Sequence, residues 1–352
     1  MTPRSFTLFA AATAVTVVAA IVAVGQRPAP TRISTDRALV FPKVASALNE
    51  VASLEIRTPG RTFTVKREQG RWGIVELKGY PVQFDKVKTV LVELSQLRFL
   101  EPKTSDTARY DRLDLRDVTA TGARSKYIIA RDSKGAVLAE GTIGRRNDSL
   151  FGTGKGGTYL RLKEDKQTWL AEGILSLGAG PADWVSKQVV DIKGDEVRKI
   201  VVVSPKGGGV VVRREKKTDK DFKLDDIPQG KKQRGQWETN QMPKALEGLK
   251  LVDVRRADEV EFADGPYKGT VTTFDGLVVH TESAQVGKKY WARFSATTDA
   301  SAGEIPDKVK KQAEEINARL KGYVYEIPEE AGKKLTCEHR NMLEGAGINA
   351  CT

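Results

Sequence analysis

Histidine and cysteine are almost missing from this chain: two of each occur in 352 residues, and aromatic residues make up only 7%. The scarcity narrows the chemistry. A serine, histidine and acid triad would have to use His280, inside a strand pattern, or His339, and no G-x-S-x-G elbow presents a serine. Cys337, His339 and Cys351 lack the paired spacing of a zinc site, so no metal is assigned to them. Gly152, Gly154 and Gly157 match G-x-G-x-x-G, with Lys155 among them. A dinucleotide or phosphate loop needs a helix to begin there, whereas Thr158, Tyr159, Leu160 and Arg161 continue as a strand, and Lys155 is followed by Gly156 rather than Ser or Thr. The stretch reads as a hairpin loop. Neither a cofactor nor a catalytic residue is assigned, and the chain is expected not to be an enzyme.

Beyond Gly25 the sequence also lacks any run apolar enough to span a bilayer. The exception is residues 6–24, uncharged and rich in Ala and Val, with Arg4 before them and Gly25, Gln26, Arg27 and Pro28 after. At 1.5 Å per residue such a helix spans roughly 28 Å, close to the hydrocarbon thickness and longer than a secretory apolar region. Residues 1–25 therefore read as a signal anchor, a single transmembrane helix in the cytoplasmic membrane, with the body outside the cytoplasm, in the periplasm. Cleavage after Gly25 is the competing reading, because Ala23 and Gly25 are small residues at the spacing a signal peptidase reads. Export makes nucleic acid an unsuitable partner. In an oxidising compartment Cys337 and Cys351 can close a small loop, worth about 3 kcal/mol by chain entropy, or they can remain reduced.

Lys and Arg total 58 against 46 for Asp and Glu, a formal charge of +12. Such a balance suits an anionic envelope polymer, a lipid surface or an acidic partner. Much of the excess lies in residues 213–234, where Arg213, Arg214, Lys216, Lys217, Lys231, Lys232 and Arg234 are candidate contacts for an anionic partner. Asp219, Asp221, Asp225 and Asp226 interleave with them, so the stretch also reads as a solvated excursion between strands.

The patterning supports a repeat. Residues 53–57, 61–67 and 71–76 alternate as strands, residues 85–97 place Val87, Val90, Leu91, Leu94 and Leu97 on one helical face, and residues 98–102 return as a strand. Further strands are expected at 126–131, 137–143, 158–162 and 168–170. The order recurs from Val197: strands at 197–203 and 210–214, a short third run at Trp237, a helix near 244–249, then strands at 251–255, 269–273, 277–281 and 289–294. A last helix at 306–320 and a strand at 323–327 close the pattern. The expected fold is α+β: two related units of mainly antiparallel sheet with one packed helix each, preceded by the transmembrane helix. The divisions are 26–40 as linker, 41–192 and 193–300 as the two units, 301–330 as C-terminal helix and closing strand, and 331–352 as a polar tail. Trp72, Trp169, Trp184, Trp237 and Trp291 are expected in the core, with Trp184 and Val185 covering its edge at the junction.

The runs FPKVASALNEVASLEIRT, YPVQFDKVKTVLVELSQLRFLEPKTSD, RYDRLDL, GTYLRL, TWLAEG and PADWVSKQVVDI resemble the bacterial domain-of-unknown-function 4340 family, as does LKGYVYEIPEEAGKKLT. The likeness covers residues 40–192 well and 197–300 less closely. It implies an N-terminally anchored, extracytoplasmic protein without assigned catalytic residues, similar to the auxiliary subunit of gliding-motility-type ABC transport systems. The chain lacks the multi-span region of a transporter subunit. The expected function is thus a non-enzymatic interaction or scaffold module with an envelope protein partner, accessory to an ABC-type complex. One alternative is a binding module for an anionic polymer or lipid surface. Another is a carbohydrate-active enzyme using paired carboxylates.

Overall fold

The computed structural model describes residues 37–150, 156–299, 301, 303–345 and 351. The apolar run at 6–24, and Gly152, Gly154 and Lys155, lie outside them. Among the described residues no helix is long and apolar enough to cross a membrane.

A short helix, α1 (Pro42–Ser46), precedes β1 (Val51–Thr58) and β2 (Arg61–Glu68). Alternation sets their inner face: Leu54 and Ile56 on β1, and Phe63 and Val65 on β2, are buried, while Arg57 and Lys66 point to solvent. Pro59 and Gly60 turn the chain between them, with Gly60 at φ +83°, a conformation that only glycine adopts without strain. β3 (Arg71–Ile74) and β4 (Tyr80–Pro81) follow, then α2 (Phe84–Gln96). Val87, Val90 and Leu94 form the buried face of α2, each removal from water stabilising by roughly 1.5–3 kcal/mol before entropy is counted. β5 (Arg98–Pro102), β6 (Lys126–Asp132), β7 (Val137–Asn147), β8 (Gly157–Leu162) and β9 (Thr168–Glu172) complete a nine-stranded sheet in the order β4-β3-β2-β1-β6-β7-β8-β9-β5.

After β10 (Gln188–Val190) the chain enters β11 (Val197–Val203), β12 (Gly209–Arg213) and β13 (Lys223–Leu224), then α3 (Gln236–Gln241), which runs on as a 3-10 turn to Leu246. Next come β14 (Leu249–Lys250), β15 (Asp253–Arg256), β16 (Tyr267–Thr273), β17 (Leu277–Val286), β18 (Lys289–Thr298), α4 (Asp307–Leu320), β19 (Tyr323–Ile327) and α5 (Glu329–Leu335). The eight-stranded sheet has the order β13-β12-β11-β16-β17-β18-β19-β15, and β10 pairs with β14 apart from it.

Both sheets are antiparallel, and eight strands of the first occur in the same order in the second. The agreement reaches the register. In the β1·β6 pair the ladder slips between Val51 and Ser53, and in the β11·β16 pair it slips between Val197 and Lys199, at the first residues of the corresponding strand. A slip of this kind bends a strand and re-aims its side chains.

The two sheets share one core. A single apolar cluster runs from Val40 to Cys351. β10, placed by sequence before the junction, pairs with β14 beyond it, and the Leu251 N–H donates to Lys187 O at 2.8 Å. Trp184 sits at the centre of this joint. It is fully buried, donates Nε1–H to Leu177 O at 3.0 Å and meets Phe63 edge-on at 6.3 Å. Tyr80 and Tyr323 pack edge-to-face at 4.6 Å across the same joint, and Tyr323 donates its hydroxyl to Leu77 O.

Two expectations are corrected here. Trp237 does not lie in the third strand of the second unit: it stands in α3, and the third strand is Lys223–Leu224. That strand has only two residues, and charges surround its apolar partners Phe222 and Leu224, so no alternation shows. Residues 331–352 are not merely a polar tail, because Leu335, Cys337, Met342 and Cys351 are buried against the second sheet.

Candidate functional site

Two features singled out in the sequence meet at one end of the second sheet. Cys337 and Cys351 form a disulfide with a Cα separation of 5.1 Å, and both are buried. With each sulfur bonded to the other, neither is available as a metal thiolate. Among the described residues no group of three or more His, Cys, Asp or Glu could hold a metal. The segment is fixed on both sides of Cys337: Ser283 donates its hydroxyl to Leu335 O at 2.8 Å, and the Tyr267 hydroxyl reaches Glu338 at 3.1 Å. Burial and this carboxylate both push the Tyr267 phenol above its ordinary value.

The same segment then runs along the basic stretch. The His339 Nε2–H donates to Asp225 O at 3.1 Å, the Arg234 N–H to Met342 O at 2.8 Å, and the Glu344 N–H to Lys232 O at 2.9 Å. The stretch is accordingly tied down on this side rather than a loose excursion.

Its seven candidate residues separate into two groups. Arg213 takes Asp225 through Nε at 2.8 and 3.0 Å and also pairs with Glu215, which raises its already high pKa. Arg214 is only 7% exposed and lies against the rings of Phe222, at 4.6 Å, and Phe274, at 5.3 Å. Its guanidinium donates to the carbonyls of Val197, Gly194, Asp195 and Asp219. Arg214 is therefore a structural pin closed to an external anion. Arg234 pairs with Glu238 at 3.6 Å. Lys216, Lys217, Lys231 and Lys232 remain exposed, with no acid on their ammonium groups among the described residues. The interleaved acids serve the local fold: Asp219 accepts from the Lys216 N–H and Asp221 from Asn240.

Two hollows flank Cys337 and share Lys206. The larger, about 740 Å³, is bordered by Glu261, Asp264, Tyr267, Tyr290, Glu329 and Lys333, and the last two are ion-paired at 3.0 Å. None of the five tryptophans lines it. The smaller, about 390 Å³, lies between the turn at 204–209 and residues 337–340. Neither Lys206 nor Arg340 belongs to a cluster in the linear chain, so nothing in the sequence marks them. A third cleft, about 930 Å³, opens at the joint between the sheets, where Asp191, Gln312, Glu315 and Arg319 supply its polar groups. Arg319 is already committed there to the carbonyls of Gln188 and Val189.

Four of the tryptophans, Trp72, Trp169, Trp184 and Trp291, are buried or packed on the core, as expected. Trp237 is not: it is 63% exposed at the second position of α3. Phe84, the first residue of α2, is equally exposed. In chain order α2 follows β4 and α3 follows β13, so each unit carries one large bare aromatic ring at the start of the helix after its opening strands. His280 on β17 holds Thr297 at 2.9 Å, and Gly157 opens β8 as backbone of a strand.

A family model described as Domain of unknown function (DUF4340) matches residues 72–263, crossing the joint between the two sheets. No curated protein and no solved structure matches the chain.

Proposed function

The chain belongs to the DUF4340 family, and on that premise we propose that it is a membrane-anchored interaction module working outside the cytoplasm, non-enzymatic, with an ABC-type envelope complex as partner. In this reading residues 6–24 anchor the chain, and the two sheets are copies of one ancestral unit. The common strand order and the common slip in register support the duplication. The Cys337–Cys351 bridge supports an oxidising compartment, where disulfides persist.

The observation that carries the interaction reading is the pair Phe84 and Trp237. Large aromatic side chains left 63% exposed forgo hydrophobic stabilisation, and aromatic residues are enriched where protein surfaces dock. The test is to place a photo-crosslinking amino acid at 84 and at 237 in the full-length chain in cells and identify adducts by mass spectrometry. One membrane protein captured from both positions, and not from Lys310 on the outer side of α4, supports the proposal. Absence of a protein adduct at either position overturns it. A second reading, binding of an anionic polymer or lipid surface, draws on the exposed ammonium groups of Lys216, Lys217, Lys231 and Lys232.

A further inference from the structure

We infer that the 390 Å³ hollow between the turn at 204–209 and residues 337–340 binds a phosphate group. Its walls are Ser204, Lys206, the three glycines 207–209, Cys337, Glu338, His339 and Arg340. The volume is at the small end of ligand sites and suits a phosphate with a short substituent.

The charges favour an anion. Lys206 meets no acid among the described residues. Arg340 gives Nε to Glu338 at 2.7 Å, and the rest of its five-donor fork is open to solvent. The one acid in the wall, Glu338, is occupied twice, by that arginine and by the Tyr267 hydroxyl. The His339 ring is oriented by its bond to Asp225 O.

The backbone adds a donor. Gly207 and Gly208 both have positive φ, +88° and +76°, and a Cβ at either would meet open space, so conformation rather than crowding calls for glycine. The Gly207 N–H closes the turn on Ser204 O. The Gly208 N–H has no acceptor among the described residues. Bare glycine amides beside cations let phosphate oxygens approach closely.

The corresponding turn of the first sheet gives the contrast. There the cation is Arg61, and it is held by Asp253 across the joint. In the second sheet the turn is longer, its cation is Lys206, and Lys206 borders the hollow with no acid to hold it. The site rests neither on the protein-partner reading nor on the lysines of residues 213–234.

The test uses the full-length chain in non-ionic detergent, titrated calorimetrically with inorganic phosphate and, separately, with soluble dihexanoyl-phosphatidylglycerol. Saturable binding of at least one probe is expected. Lys206→Ala and Arg340→Ala should each weaken it about tenfold, the scale of one lost charge-assisted hydrogen bond, while Lys310→Ala on α4 leaves it unchanged. Saturation by phosphate assigns a free anion, and saturation by the lipid alone assigns a headgroup. The inference is overturned if neither probe saturates, if both hollow variants bind like the parent, or if Lys310→Ala weakens binding equally. Lys206 and Arg340 are exposed, so thermal melting of these variants should match the parent and exclude unfolding as the cause.

Discussion

Arg61, the first residue of β2, grips Asp253 on the edge strand β15, with one guanidinium nitrogen at 2.9 and 3.0 Å from the two carboxylate oxygens and the other at 3.2 Å from Val254 O. The pair is partly shielded from water and joins the two sheets, so Arg61→Ala should lower stability by about 1–3 kcal/mol in urea denaturation. Arg61→Lys should recover only part of this, because an ammonium cannot make both contacts at once.

Arg214 and its neighbours should separate cleanly on substitution. Removing Arg214 takes the guanidinium donor from the buried Val197 carbonyl and opens the space between Phe222 and Phe274. Arg214→Ala should cost about 2–4 kcal/mol, and Arg214→Lys should not restore the parent value. Lys216→Ala and Lys217→Ala should stay within about 0.5 kcal/mol. Chemical denaturation of the three alanine variants side by side checks this.

The tryptophans make a similar pair. Trp184→Ala empties a fully enclosed volume at the joint and strands the Leu177 carbonyl, at a cost of about 3–5 kcal/mol. Trp237→Ala should leave the melting temperature almost unchanged and reduce only partner capture.

The disulfide closes a loop of sequence separation 14, worth about 3 kcal/mol in the chain-entropy model. Cys337→Ser should lower the melting temperature. Dithiothreitol should lower that of the parent by a like amount and leave the variant where it is.

Acid sensitivity should report on Glu55. Burial alone would raise its carboxyl, but hydrogen bonds and charge from Arg57 and Arg131 outweigh burial and hold it below its ordinary value of 4.5. A group depressed in the folded state contributes stability above its unfolded value and loses it as pH falls through the folded one. The parent should therefore lose stability below pH 4.5 more steeply than Glu55→Gln, measured as the urea midpoint against pH.

Periodicity in the sequence carried most of the first sheet. The face of α2 was legible because Val87, Val90 and Leu94 recur at helical spacing, and β1 and β2 because Leu54, Ile56, Phe63 and Val65 alternate. β13 was not legible, since two residues carry no period, and Trp237 took its place because a bulky aromatic resembles a strand residue until its exposure is known. The role of Arg214 was hidden for another reason. One arginine in a basic run looks like the next, and only the fold shows which one lies between two rings. The hollow beside Cys337 brings together side chains from positions 206 and 340, a juxtaposition that exists only once β11, β12 and α5 are in place.

The strand order has a consequence for how the chain is made. β5 and β15 are synthesised early in their units, yet each finds its sheet partner only in the last strand of its own sheet, β9 or β19. Until then β15 is an open edge and β5 is bonded on one side alone, to residues 38–40, so neither sheet can close by zipping neighbouring hairpins alone. Assembly is set by late, long-range capture, which is slow and leaves edges exposed to aggregation in the interval. Chains cut short before Ile327 should thus be lost to proteolysis or clumping rather than accumulate as a folded first half with a frayed second, because the missing strand is the one that seals β15 against β18.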